Sequence, residues 1–63
     1  MNLLLIKELR KNNRLSLRKL AEMTELSYSY LSLLEGGKRC NPTYQTLEKI
    51  TSALEVEPSI FFN

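Results

Sequence analysis

At 63 residues, with 43% hydrophobic and 25% charged side chains, the chain has the composition of one small globular domain rather than of a disordered segment. The formal charge is only +2, but it is unevenly spread: residues 1–39 carry eight Lys/Arg against four Glu, and residues 40–63 carry Lys49 against Glu48, Glu55 and Glu57. A lone cysteine, Cys40, and no histidine exclude an internal disulfide and a Cys/His zinc site, so no metal and no cofactor is expected, and a reduced cytoplasmic setting is.

The first helix is expected over about residues 3–12, with Leu5, Ile6 and Leu9 inward and Lys7, Glu8 and Lys11 in water. Leu3-Leu4-Leu5-Ile6 reads as its buried start: the run is too short for a signal peptide, and no apolar run approaches a membrane span of roughly 20 residues. Asn12 and Asn13 supply a stop, since asparagine tolerates the left-handed conformation that closes helices. Arg14 to Ser16 then form a link in which Leu15 is the buried residue.

Ser16 is a good N-cap for a second helix over residues 17–23, because its hydroxyl accepts from free first-turn amides. Leu17, Leu20, Ala21 and Thr24 share one side of that helix, with Arg18, Lys19 and Glu22 outside. A turn of Thr24 to Leu26 follows, and Ser27 caps a third helix over residues 28–35. Helical spacing places Tyr30, Leu31, Leu34 and Glu35 on an anchored arc, and Tyr28, Ser29, Ser32 and Leu33 on a presented one. Gly36-Gly37 is a helix stop followed by Lys38 and Arg39. Thr43 caps a fourth helix over residues 44–54, whose Leu47, Ile50, Ala53 and Leu54 face inward. Pro58 opens a last short helix carrying Ile60, Phe61 and Phe62. The fold class is therefore all-α with five helices, in a single domain covering residues 1–63.

Catalytic chemistry is not assembled anywhere in this string. There is no base beside a nucleophile and no paired carboxylate site, and Gly36-Gly37 lacks the strand and spacing of a phosphate-cradling loop. The chain is not expected to be an enzyme. Its basic half, which contains the second and third helices, suits a polyanion, although a solvated basic surface explains the same charges.

From Ile6 to Phe62 the chain resembles the lambda-repressor and Cro-like (Xre-type) helix-turn-helix family. The blocks that carry the resemblance are Ile6-x-x-Leu9-Arg10, Leu15-Ser16, Leu20-Ala21-Glu22, Leu26-Ser27, Leu31-Ser32, Leu34-Glu35, Gly37-Lys38-Arg39, Asn41-Pro42-Thr43, Leu47-Glu48-Lys49-Ile50, Ala53-Leu54 and Val56, in order and at family spacing. It implies a compact DNA-binding domain in which the second and third helices form the helix-turn-helix. The function implied is that of a sequence-specific transcriptional regulator, expected to be a repressor, whose partner is double-stranded DNA. Occupancy is expected to follow protein concentration, because no effector domain is attached.

The resemblance makes the third helix the recognition helix, with Tyr28, Ser29, Ser32 and Leu33 facing base edges in the major groove. Backbone phosphates would be met by Lys38 and Arg39, by the helix starts at Ser16, Leu17 and Arg18, at Ser27, and at Thr43 and Tyr44, with Arg14 and Lys19 as further cations. Arg10 and Glu35 match a structural ion pair of the family. Ile60, Phe61 and Phe62 fall in the segment that commonly makes the dimer contact, Phe61 suiting the core and Phe62 or Ile60 the interface. A homodimer implies a palindromic operator.

Four positions depart from the family pattern. Leu17, Tyr28 and Leu33 are apolar or aromatic where polar or basic residues are common, and Glu25 stands where the turn usually has glycine. A left-handed Glu25 would cost roughly 1 to 2 kcal/mol, so either the turn is adjusted or that strain is carried. Leu17, Tyr28 and Leu33 either form one exposed apolar patch or Leu17 tucks against Tyr28 and only Leu33 stays out. Two other readings remain: a controller of a restriction-modification system, similar in size and in a turn lacking glycine, and a protein-interaction module such as an antirepressor partner.

Overall fold

Three hydroxyl caps set the helix starts in the computed structural model, which describes residues 1–39 and 41–62. Ser16 Oγ accepts from the Lys19 amide at 3.0 Å, Ser27 Oγ from the Tyr30 amide at 3.0 Å, and Thr43 Oγ1 from the Thr46 amide at 3.1 Å. Each cap satisfies one of the amides that a helix start leaves open. The α-helices are α1 (Leu5–Asn12), α2 (Leu17–Thr24), α3 (Tyr28–Glu35) and α4 (Tyr44–Leu54). Cys40, whose solitude excludes an internal disulfide, lies outside the described residues.

Among the described residues there are four α-helices rather than five, and no strand. The expected last helix is a single 3₁₀ segment, Pro58–Phe62. Five residues opened by proline are too few to complete an α-helical ladder, and the tighter i→i+3 bond from the Ile60 amide to the Glu57 carbonyl, 3.1 Å, is what forms. α1 also begins two residues later than expected. Leu3 is buried, but Leu4 is 62% exposed, so the opening apolar run is only partly internal.

A left-handed residue follows each α-helix, and only the one after α1 differs from expectation. Arg14, Glu25 and Glu55 have φ near +60°, and Gly37 has φ 75°. At α1 the left-handed residue is Arg14 rather than Asn13, whose φ is −90°. The Leu15 amide returns to the Arg10 carbonyl at 3.0 Å and the Arg14 amide to Lys11 at 2.9 Å. α3 and α4 end in the same paired pattern, with Lys38 bonding to Leu33 and Val56 to Thr51. Asn13 contributes differently: its side-chain amide donates to the Leu9 carbonyl at 2.8 Å.

α2 packs against both α3 and α4, while α1 lies across α3 and α4 and the 3₁₀ segment covers α4. Between them sit Leu3, Ile6, Leu20, Leu31, Leu34, Leu47, Ile50, Leu54 and Phe61. The two buried threonines are internally satisfied, since Thr24 donates to Leu20 and Thr51 to Leu47 at 2.8 and 2.9 Å. Hence the core presents no polar strain, and α3 is fixed along its whole inner face.

Candidate nucleic-acid interface

α3 has eight residues, which at 1.5 Å per residue gives a rod of about 12 Å. Leu31, Leu34 and Glu35 are buried, Tyr30 is half-buried, and Tyr28, Ser29, Ser32 and Leu33 are all exposed. The four expected base readers thus share one accessible face. That face is chemically mixed: two hydroxyls stand beside a tyrosine ring and a leucine that are 52% and 39% exposed. Leu17 is only half-exposed and packs against the core. Neither arrangement of the apolar patch holds as expected, because Tyr28 stays exposed together with Leu33 while Leu17 withdraws.

One side of α3 is pinned electrostatically. Arg10 Nε donates to Glu35 Oε2 at 2.7 Å and its Nη2 to Oε1 at 3.1 Å, with the two side chains only 12% and 8% exposed. The remaining Nη1 donates to the Leu15 carbonyl at 2.8 Å, so one guanidinium ties α1, the link after it and the end of α3. Hydrogen bonding to Glu35 raises the Arg10 pKa above its ordinary value and outweighs the opposing effect of burial.

The cations expected at phosphates are all accessible. Arg14, Arg18, Lys19, Lys38 and Arg39 are exposed. Lys19 approaches Glu22 at 3.8 Å, a surface contact with both side chains more than half exposed, which holds it weakly. Leu17 is expected at a phosphate through its amide alone. Ser16, Ser27, Thr43 and Tyr44 are exposed, but Thr43 Oγ1 donates to Thr46 Oγ1 at 3.0 Å, so its hydroxyl proton is already engaged. The loop after α3 is tightly held: the Lys38 and Arg39 amides both donate to the Leu33 carbonyl, at 2.9 and 3.2 Å.

Tyr30 is the residue that helix arithmetic alone did not single out. Its ring lies 5.9 Å from the Arg39 guanidinium carbon, within cation–π range. Helical spacing assigns Tyr30 an anchored position, but it gives no sign that the following loop folds back over it.

At the far end, Phe61 is completely buried and Phe62 is 56% exposed, with Ile60 half-buried. Phe61 therefore has no surface to offer a partner and is removed from the expected interface set. Among the described residues no group of three or more potential metal ligands gathers, and no helix is long and apolar enough to cross a membrane.

A family model described as a helix-turn-helix domain matches residues 5–63. The HTH-type transcriptional regulator SinR of Bacillus licheniformis is 40% identical over 58 residues, which is 92% of this chain and 52% of that protein. The chain spans about half the length of that relative. A crystal structure of SinR, the master regulator for biofilm formation, in complex with DNA superposes with a TM-score of 0.89 at 38% identity, covering 92% of each chain. The match to a SinR protein/SinI protein complex has a TM-score of 0.93 at 36% identity, over all of this chain and 61% of that one.

Proposed function

The chain belongs to the lambda-repressor/Cro-like (Xre-type) helix-turn-helix family of DNA-binding transcription regulators, and from that premise we propose that it binds a palindromic DNA operator sequence-specifically, as a homodimer, and represses. The observation that carries this reading is the exposed arc of α3. Its four side chains stand on a short rod whose opposite face is buried and whose end is fixed by Arg10, so a rigid edge of groove width is available to enter the major groove. Ser29 and Ser32 are suited to donate or accept at base edges, Tyr28 to hydrogen-bond a base or a phosphate, and Leu33 to touch a thymine methyl. A structure of SinR at 38% identity is described as a complex with DNA, which supports the same partner here. Filling the groove of an operator excludes other proteins from it, which is the physical basis of repression.

The dimensions of the chain support the dimeric reading of a two-half-site operator. The longest axis of the described chain is 26 Å, shorter than the roughly 34 Å between successive faces of the major groove. Two half-sites therefore require two copies, and the exposed Phe62 beside half-buried Ile60 is the contact we assign to them. Phosphates would be met by Arg39 and Lys38 and by the starts of α2, α3 and α4 at Ser16, Leu17, Arg18, Ser27, Thr43 and Tyr44.

Selection of bound duplexes from a random pool tests the reading. The expected product is a palindrome with half-site centres about one helical turn apart, bound with an affinity that falls steeply as salt rises. Sedimentation should give a dimer for the wild type and a monomer for Phe62→Glu. Absence of duplex binding at low salt, with helical circular dichroism intact, overturns it and favours a protein-interaction role for the exposed Tyr28 and Leu33.

A further inference from the structure

Tyr30 lies between the presented and buried arcs of α3 and packs against the hydrophobic core, half-buried. Its ring orientation is therefore set by packing rather than by solvent. Beyond the helix, Gly37 in a left-handed conformation reverses the chain, and the Leu33 carbonyl accepts from two successive amides, those of Lys38 and Arg39. This closed turn delivers the Arg39 guanidinium to the face of the Tyr30 ring, 5.9 Å from its centroid. Among the described residues no carboxylate forms an ion pair with Arg39.

A ring face attracts a guanidinium through the ring's quadrupole without using any of its N–H groups. The five donors of Arg39 lie in the guanidinium plane and stay available for a planar, two-oxygen acceptor. An unrestrained loop arginine would lose rotamer freedom on meeting such an acceptor; one already held by a ring loses less. Lys38 is a contrasting case one residue away: it is exposed and carries a compact charge on a flexible stem.

Resting on the DNA-binding reading above, we infer that Tyr30 is a positioning residue: without touching DNA, its ring holds the Arg39 guanidinium ready for a backbone phosphate of the duplex. Arg39 is thereby an oriented anchor and Lys38 a mobile charge. The ring face matters, and the tyrosine hydroxyl does not.

Affinity for a mixed-sequence DNA duplex, measured with the full chain over about 50 to 200 mM salt, tests this. Tyr30→Phe should bind as the wild type does. Tyr30→Leu should bind roughly two- to five-fold more weakly, the equivalent of one exposed cation–π contact. Arg39→Gln should weaken binding and flatten the log–log salt dependence by about one unit, the signature of one lost phosphate contact. In the Arg39→Gln background, Tyr30→Leu should have no further effect on affinity.

Equal binding by wild type and Tyr30→Leu overturns the inference while leaving the DNA-binding reading intact. So does an equal penalty for Tyr30→Leu in both backgrounds, which would place its effect in the fold, and so does a penalty for Tyr30→Phe as large as that for Tyr30→Leu. A measurement on the unmodified chain covers the case in which Tyr30→Leu fails to fold. The Arg39 side-chain protons should show an upfield ring-current shift by NMR, and random-coil shifts there overturn the inference. A wild-type chain that binds no duplex overturns the DNA-binding reading and this inference with it.

Discussion

Replacing Glu35 by Gln keeps the shape of the side chain and removes its charge. In the native arrangement the carboxylate accepts two Arg10 N–H groups, at 2.7 and 3.1 Å, with both side chains nearly withdrawn from water. Gln offers one acceptor oxygen, and its NH₂ group faces an Arg10 donor it cannot satisfy. The loss is one charge-assisted hydrogen bond together with the compensation of a partly buried cation, about 2 to 4 kcal/mol. For a domain of this size each kcal/mol moves the midpoint by about 4 to 8 °C, so the melting temperature should fall by roughly 8 to 32 °C. Thermal melts followed by circular dichroism measure it directly. The double variant Arg10→Met/Glu35→Leu should be less damaged than Glu35→Gln alone, because it leaves no unpaired charge, even though the Leu15 carbonyl loses its donor. A Glu35→Gln midpoint within about 2 °C of wild type would refute the claim that this pair locks α3. The pH dependence has a definite sign. The Arg10 pKa is raised in the fold, so its contribution is complete below the unfolded value and is lost only as pH climbs through the folded one. No Arg10-linked loss of stability is therefore expected up to about pH 9.

The division of α3 and its loop into readers and anchors makes separate predictions. Ser32→Ala should change base preference at one half-site position, at about 1 to 3 kcal/mol for a good direct contact, whereas Lys38→Ala should weaken all sequences alike; binding-site selection on each variant distinguishes the two. Leu33, exposed on the same face and without a polar atom, should make one operator thymine replaceable by deoxyuridine only with weakened binding, and Leu33→Ala should abolish that difference in a competition assay. Glu55→Gly should stabilise the fold by about 0.5 to 1 kcal/mol, since relief of the left-handed strain at φ 60° exceeds the added unfolded-chain entropy of glycine. An unchanged or lowered melting temperature for Glu55→Gly would show that the Glu55 turn carries no strain.

The sequence by itself determined the starts of α2, α3 and α4, because Ser16, Ser27 and Thr43 act on amides three residues away and require no tertiary partner. It also determined which side chains of α3 are presented, because a helix assigns directions by spacing alone. For the same reason most of the candidate reading face was legible before any coordinates. The pairing of Arg10 with Glu35 was legible only through family resemblance, as the two lie 25 residues apart and nothing local connects them.

Tertiary structure decided what depends on how the chain returns to itself. The left-handed closures at Arg14, Glu25 and Glu55 are imposed by the packing of the helices that they join, since none of these residue types favours that backbone. Burial likewise distinguished Leu3 from Leu4, adjacent residues of one type whose surroundings differ. The meeting of Tyr30 and Arg39 belongs here too: a turn made by two amides on one carbonyl brings them together, and no periodicity in the sequence records it.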